Sequence, residues 1–173
     1  GQGFTISNLY IKASEINNAA TSAHTGKSKN GNAAYAQNIG LFGIISKETI
    51  NKVDFIGTVK NLTLKDVQIY AASSAGSTGI SNDKPISVGA VVGWVSDGGI
   101  IENCVASGTI ETSGATNRVG GIAGNVKSVT ISNCVSSVSV TASGASTNVG
   151  GIVGALRNGG NVNISSCVYS GNN

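Results

Sequence analysis

Several residue types that mark common functional classes are scarce in this sequence. It has no methionine, one proline (Pro85) and one histidine (His24), and only 11% of its residues are charged. A single histidine excludes the H-E-x-x-H zinc pattern of metallopeptidases within this chain. No uninterrupted apolar run reaches the length of about 18 residues that indicates a membrane-spanning helix, so we expect no membrane insertion by this chain.

The charged residues that remain are spread thinly. The net charge is +3, carried mostly by lysines before residue 85, and no basic cluster is interleaved with aromatic residues, so we expect no nucleic-acid partner. The acids do not group as a carboxylate pair would require; they are Glu15, Glu48, Asp54, Asp66, Asp83, Asp97, Glu102 and Glu111. We therefore predict that the chain is not an enzyme and that it has no catalytic, cofactor-binding or metal-binding residues.

What the sequence does contain is glycine, together with many β-branched residues. There are 25 glycines among 173 residues, and 40% of the residues are hydrophobic. Valine, isoleucine and threonine favour strands, and clusters of glycine, serine, threonine and asparagine indicate turns. This composition predicts one all-β domain over residues 1–173.

Two short phrases repeat along the chain. The first occurs as NIGLFG, VGAVVG, VGGIAG and VGGIVG at residues 38–43, 88–93, 119–124 and 149–154. The second occurs as VKNLTL, IENCVA, ISNCVS and ISSCVY at residues 59–64, 101–106, 131–136 and 164–169, with an isolated copy, ISNLYI, at 6–11. The period is about 30 residues in the second half, and the earlier copies are longer because of insertions.

A repeat of this length with two or three short strands predicts one coil of a β-solenoid. We predict a right-handed parallel β-helix of about four to five coils, which start near residues 38, 88, 119 and 149. Residues 13–38 form a long polar insertion near the N-terminus. The predicted columns of stacked side chains are Leu41, Val91, Ile122 and Ile152; Phe42, Val92, Ala123 and Val153; and Ile6, Val59, Ile101, Ile131 and Ile164.

The three cysteines, Cys104, Cys134 and Cys167, occupy one position of the repeat, where the earlier copies have Leu9 and Leu62. A position that accepts leucine or cysteine is an inward apolar one, so we predict three buried free thiols. A disulfide between adjacent coils is the alternative, because the expected Cα separation is permissible.

An asparagine precedes most of these positions. Asn8, Asn61, Asn103 and Asn133 share this place, and Ser166 takes it in the last copy. Asparagine tolerates left-handed backbone geometry, so we predict a bend with a ladder of stacked asparagines. The alternative is a polar binding stripe.

Two glycine-containing stretches resemble phosphate-binding loops. VGGIAG at 119–124 is close to G-x-G-x-x-G, but that motif needs a helix after it and an acid about 20 residues later, and here another strand pattern follows. HTGKSKNG at 24–31 lacks the first glycine of a P-loop, because Thr21 occupies that position. We interpret the first as a structural corner and the second as a solvated loop.

The phrases resemble the GLUG repeat family, named for Gly-Leu-any-Gly. Residues 40–43 carry that signature, and residues 121–124 and 151–154 are close variants. The resemblance implies a fragment of a larger bacterial cell-surface or secreted protein. The repeats of this family occur in adhesin-like proteins, typically of gut Bacteroidetes, and beside immunoglobulin-A-cleaving metallopeptidase domains.

From this resemblance we expect a non-enzymatic module that acts in adhesion or as a structural stalk. A carbohydrate-binding or carbohydrate-active β-helix is one alternative, and a non-catalytic arm of a surface metallopeptidase is another. The expected partners are a host glycan or extracellular protein, and neighbouring domains of the parent protein that cap the solenoid ends. The expected location is extracellular or on the bacterial cell surface.

Overall fold

The computed structural model describes residues 3–13, 38–72, 86–114, 116–144 and 146–172. The regular elements of these residues are β-strands, and apart from one hairpin the paired strands are parallel. The prediction of an all-β chain with stacked parallel strands is therefore confirmed. Most of the predicted insertion at 13–38 and the whole of HTGKSKNG lie outside the described residues.

Four sheets follow one another in the same order along the chain. The first sheet contains β3 (Asn38–Ile39), β9 (Ile86–Gly89), β13 (Thr116–Gly120) and β17 (Ser146–Gly150). The second sheet contains β4 (Phe42–Ile45), β10 (Val92–Val95), β14 (Ala123–Val126) and β18 (Val153–Leu156). The third sheet contains β7 (Thr58–Lys60), β11 (Ile100–Glu102), β15 (Val129–Ser132) and β19 (Val162–Ser165). The fourth sheet contains β8 (Leu62–Ala72), β12 (Val105–Ser113), β16 (Val135–Ala142) and β20 (Val168–Tyr169).

One passage through the four sheets makes one coil. We call the passages 38–72, 86–113, 116–142 and 146–169 the first to fourth coils. Two further strands, β1 (Phe4–Ser7) and β2 (Tyr10–Lys12), both pair with β8. They extend the fourth sheet by one strand position beyond the first coil. In the described part of the chain, no helix has the length and apolar character needed to cross a membrane.

The predicted columns of apolar side chains run through the core. In the second sheet Phe42, Val92, Ala123 and Val153 pair in register. In the third sheet Val59, Ile101, Ile131 and Ile164 do the same. Ile6 was predicted to join the third-sheet column, and this is wrong, because it pairs with Leu64 in the fourth sheet. The isolated phrase at 6–11 therefore lies on the fourth sheet alone, whereas the phrases that it resembles pass from the third sheet to the fourth.

The first coil departs from the others at two places. Its corner between the first and second sheets is one residue shorter, because Ile39 pairs with Val88 whereas Phe42 already pairs with Val92. The antiparallel hairpin of β5 (Lys47–Ile50) and β6 (Val53–Ile56) is inserted before the third sheet. Its two turn residues, Asn51 and Lys52, have φ of 51° and 66°, as the type I′ turn of a two-residue hairpin requires.

The repeated glycine at the end of each first phrase allows two sheets to pack closely. Gly43, Gly93, Gly124 and Gly154 form one column of the second sheet, as the strand register requires. A Cβ atom on Gly124 would overlap the backbone nitrogen of Val88 in the first sheet, and one on Gly154 would overlap that of Val119. The four glycines have no positive φ, so it is space and not backbone freedom that excludes a side chain here.

Candidate functional site

A shallow groove of about 530 Å³ lies at one edge of the fourth sheet. All strands of this sheet are parallel, so their carboxyl ends meet at the same edge. The groove crosses the ends of four successive strands. Its lining residues are Tyr10, Lys12, Tyr70, Ala71, Ala72, Glu111, Thr112, Ser113, Thr141 and Ser143.

Three-residue segments with a central apolar residue bring these side chains together. The segments are 10–12, 68–70, 109–111 and 139–141, which pair in register across β2, β8, β12 and β16. The central residues Ile69, Ile110 and Val140 are buried. Because side chains alternate between the faces of a strand, the flanking residues of each segment are placed on the opposite, outer face. Strand register therefore brings together five of the lining residues, which are Tyr10, Lys12, Tyr70, Glu111 and Thr141.

Two tyrosines form one side of the groove. Tyr10 pairs with Gln68, and Tyr70 lies two residues further along that strand, so the two rings are diagonal neighbours. Their centroids are 5.9 Å apart and their planes are inclined by 51°, within the range of favourable aromatic pairs. The Tyr10 side chain is 58% exposed, so this ring presents a large aromatic surface to solvent.

Polar side chains continue the groove beyond the tyrosines. Lys12, Tyr70, Glu111 and Thr141 are in register on four adjacent strands. Lys12, Glu111 and Thr141 are exposed. One cation and one carboxylate lie in the same row as a hydroxyl, so the groove combines donors and acceptors with little net charge.

The far wall of the groove is held by the backbone. The Ser143 amide donates a hydrogen bond of 2.9 Å to the Thr112 carbonyl, and the Asn117 side-chain amide donates one of 3.0 Å to the Ser143 carbonyl. These bonds fix the segment that follows β16 against the second coil and against the first strand of its own coil. We did not predict this groove from the sequence, although the recurrence of an apolar residue between two outward residues at 10–12, 68–70, 109–111 and 139–141 was a signal that could have located it.

The cysteines lie at one position of successive coils, as predicted. All three thiols are free; Cys104 and Cys134 are buried, whereas Cys167 in the fourth coil is only partly buried, which corrects the prediction for that residue. Leu9 was predicted to share this column and does not, because its carbonyl accepts a hydrogen bond of 2.8 Å from the backbone N–H of Gln68, in another part of the sheet.

The two buried thiols each have a backbone acceptor, and the hydrogen bond between them shifts their pKa values in opposite directions, with that of Cys104 lowered to about 7. The Cys134 thiol lies 3.2 Å from the Ser132 carbonyl and the Cys104 thiol lies 3.4 Å from the Glu102 carbonyl, so each S–H has a backbone acceptor. The neighbouring Cys104 thiol and, after it, burial raise the pKa of Cys134 above its ordinary value. Among the described residues, no three of histidine, cysteine, aspartate and glutamate come together in a way that could hold a metal ion.

The predicted asparagine bend is confirmed in three coils. Asn61, Asn103 and Asn133 have φ of 54°, 53° and 53°. The Asn103 side-chain amide donates to the Asn61 side-chain oxygen at 3.1 Å, which is one step of the expected ladder. Ser166 takes the same left-handed geometry, with φ of 52°.

Asn8 was predicted to extend this ladder, and the structure corrects that prediction. The φ of Asn8 is 58°, but its backbone N–H donates a hydrogen bond of 2.9 Å to the Lys65 carbonyl. The residue after Lys65, Asp66, also has a positive φ, of 56°. Asn8 therefore lies beside a bulge in the fourth sheet. The left-handed backbone geometry of Asn8 is therefore the same as that of the ladder asparagines, but it occurs at a different position of the stack.

The glycine phrase VGGIAG is a corner and not a nucleotide loop. Residues 119–120 end β13, and β14 begins at Ala123, where a dinucleotide loop would open a helix. The Ile122 side chain is buried in the core. The interpretation made from the sequence is confirmed.

Together, the stacked coils define the class of the protein as a repeat module with a parallel β-solenoid arrangement. Residues 85–111, which cover most of the second coil, match the model of the GLUG motif family, so the resemblance noted in the sequence is supported at these residues. Searches of curated proteins and of solved structures find no match.

Proposed function

We propose that this chain is a non-enzymatic repeat module of a bacterial cell-surface or secreted adhesin-like protein, and that it acts in adhesion or as a stalk. The observation that carries the proposal is the in-register stacking of equivalent repeats, one of which matches the GLUG motif. Such a stack holds its outward side chains at fixed spacing. A rigid surface of this kind suits both a stalk that presents other domains and a surface that attaches to a ligand.

The ends of the stack support a place within a longer protein. Leu156 and Val168 in the fourth coil and Phe4 beyond the first coil are 62%, 56% and 66% exposed. Open strand edges and apolar end surfaces need caps, and we propose that neighbouring domains of the parent protein supply them. We also propose that the coils, about four to five in number, wind in the right-handed sense that parallel crossovers strongly prefer.

The adhesive role is tested with beads that carry the purified chain. The beads are applied under flow to surfaces coated with mucin, collagen or fibronectin, and to epithelial cells, with uncoated beads as the control. The proposal expects the beads to adhere to at least one surface. Addition of the soluble chain should suppress this adhesion. Absence of adhesion to every surface would reduce the role to that of a spacer.

The location has its own measurement. Antibodies against the chain are expected to label intact bacteria that produce the parent protein, and labelling only after lysis would contradict the proposal. The alternative of a metallopeptidase arm requires H-E-x-x-H elsewhere in the same gene. The alternative of carbohydrate binding has a specific structural observation in its favour, the tyrosine groove.

A further inference from the structure

We infer that the groove on the fourth sheet binds a neutral oligosaccharide, with a sugar ring packed against Tyr10 and Tyr70. The inference names a ligand class for the adhesive function proposed above and rests on that function. It depends on the aromatic pair, the polar row beside it, the balance of charge and the rigidity of the strands.

The aromatic pair supplies the surface that a sugar ring requires. One face of a pyranose ring presents C–H groups and its rim presents hydroxyls, so it is recognised by an aromatic ring with polar groups next to it. Tyr10 is 58% exposed although it lies on a paired strand. The planes of Tyr10 and Tyr70 are inclined by 51° with their centroids 5.9 Å apart, so the two rings form one continuous aromatic surface with two orientations.

The polar row supplies the hydrogen bonds. Lys12, Tyr70, Glu111 and Thr141 stand on four adjacent strands, and three interstrand steps of ~4.8 Å give a row of about 14 Å. That length accommodates more than one sugar ring. The ammonium group donates, the carboxylate accepts, and the hydroxyls of Tyr70 and Thr141 do both, which matches the mixed donors and acceptors of sugar hydroxyls.

The balance of charge favours a neutral ligand over an acidic one. Lys12 and Glu111 are the two ionised side chains among the residues that line the groove. A sialylated or sulfated glycan would be attracted by the Lys12 ammonium group but repelled by the Glu111 carboxylate, so the groove offers an acidic ligand no net electrostatic advantage and a local penalty at Glu111. A neutral glycan meets no such penalty.

The groove is preorganised, and it is suited to binding without cleavage. Strand pairing fixes the backbone positions of Lys12, Tyr70 and Glu111, so little backbone conformational entropy is lost when a ligand binds. Glycoside hydrolysis generally uses two carboxylates that flank the scissile bond, and Glu111 is the single carboxylate among the described residues that line the groove.

The test is a binding screen of the purified chain on an array of neutral, sialylated and sulfated oligosaccharides, with a proline-rich peptide as a further probe. Neutral hits such as cellotetraose, mannotetraose or N-acetylchitotetraose are then titrated by ¹H–¹⁵N NMR. The variants are Tyr10→Ala, Tyr70→Ala and Glu111→Gln. The matched control is Phe55→Ala, because Phe55 is an equally exposed aromatic (56%) on the hairpin, away from the groove. Circular dichroism checks that each variant is folded.

The inference expects binding of a neutral oligosaccharide, with amide shifts at residues 10–12, 68–72, 109–113 and 141–143. Tyr70→Ala and Tyr10→Ala should each weaken it about tenfold, the effect of one aromatic contact, whereas Phe55→Ala should leave it unchanged. Glu111→Gln should improve tolerance of sialylated glycans. Absence of any neutral hit, preference for an acidic glycan or for the peptide, or equal losses in Phe55→Ala would each overturn the inference.

The two proposals fail in different ways. If beads adhere to a protein-coated surface and Tyr10→Ala and Tyr70→Ala beads adhere equally well, the adhesive function stands and the glycan groove is wrong. If the purified chain binds a neutral oligosaccharide in the groove but beads adhere to no surface or cell, the adhesive function is wrong.

Discussion

The inner and outer coils of the stack have similar sequences and very different environments. Ile101 and Ile131, in the second and third coils, are 0% exposed, whereas Ile164 of the same column in the fourth coil is 41% exposed. At the other end, Val92 is 0% exposed and its neighbour Phe42 in the first coil is 41% exposed. In these columns an end residue is exposed where a neighbouring coil is missing, although Val59 of the first coil remains buried at 8%.

This difference indicates where the stability of the module resides. In a stack, each unit contacts only its neighbours, so the stability is the sum of the units and the interfaces between them. The second and third coils have two such interfaces, and they hold most of the fully buried side chains. We expect substitutions in these coils to destabilise the protein more than equivalent substitutions in the outer coils.

The glycine column should show the largest contrast. We predict that Gly124→Ala lowers the free energy of unfolding by about 4 kcal/mol or more, because the new Cβ would overlap the backbone of Val88 and that backbone cannot move aside easily. Gly43→Ala in the first coil should cost about 1 kcal/mol or less, since its Cβ would lie 3.3 Å from the Asn38 carbonyl. Urea denaturation measures the free energy of unfolding of both variants. Equal losses would show that close packing does not constrain the glycine column.

The isoleucine column should show the next largest contrast. Ile131→Ala is expected to cost about 3 kcal/mol, as a buried large-to-small substitution does. Ile164→Ala is expected to cost about 1 kcal/mol, because its side chain is already 41% exposed. Both are read from the same denaturation curves, and a larger loss at Ile164 would mean that the fourth coil is not the end of a column.

The thiols test the same comparison by chemistry. Cys167 should react with a maleimide in the native state, whereas Cys104 and Cys134 should react only when the chain unfolds, because they are buried. Mass spectrometry of digested protein gives the order of labelling. Simultaneous reaction of all three cysteines would contradict the difference between inner and outer coils.

The pKa of Cys134 predicts how stability depends on pH. The pKa of Cys134 is raised in the folded state, whereas that of Cys104, its hydrogen-bonded partner, is lowered to about 7. Ionisation of Cys104 therefore adds stability between about pH 7 and the ordinary thiol pKa of about 8.5, and the contribution of Cys134 is lost as pH rises above that value. Cys134→Ala should remove this part of the slope, and an unchanged slope in the variant would exclude Cys134 as its source.

The asparagine bend should give the smallest effect. Asn103→Ala is expected to cost about 1 kcal/mol, because alanine is disfavoured at a φ of 53° and loses the bond to Asn61. Asn103→Gly keeps the backbone geometry and should cost less. If the glycine variant loses as much stability as the alanine variant, the ladder hydrogen bond, and not the left-handed turn, is the stabilising element.

The architecture was largely predictable because each coil repeats the same local rules. The columns of Val88 and Ile101 follow from phrases whose spacing is constant in the second half of the chain. The errors at Ile6, Asn8 and Leu9 arise where a short phrase is copied without its partner. Such a phrase fits more than one place in the coil, and only the pairing of β1 and β2 with β8 decides between them.

The groove was not predicted, because it depends on contacts that are distant in sequence. Tyr10 and Tyr70 become neighbours only when β2 pairs with β8, and Glu111 joins them only through β12. Composition and the spacing of the two repeated phrases do not by themselves place these residues side by side. The register of Ile11, Ile69 and Ile110 would have indicated it once the fourth sheet had been aligned.

The most direct test of this account is an NMR measurement of which strands are neighbours. In a uniformly labelled sample, nuclear Overhauser effects are expected between Ile131 and both Ile101 and Ile164, and between Val119 and both Val88 and Val149. These contacts place each repeat directly on the next, in parallel and in register. Contacts that instead connect the two phrases of one repeat as antiparallel partners would contradict the stacked-coil architecture and the groove that depends on it.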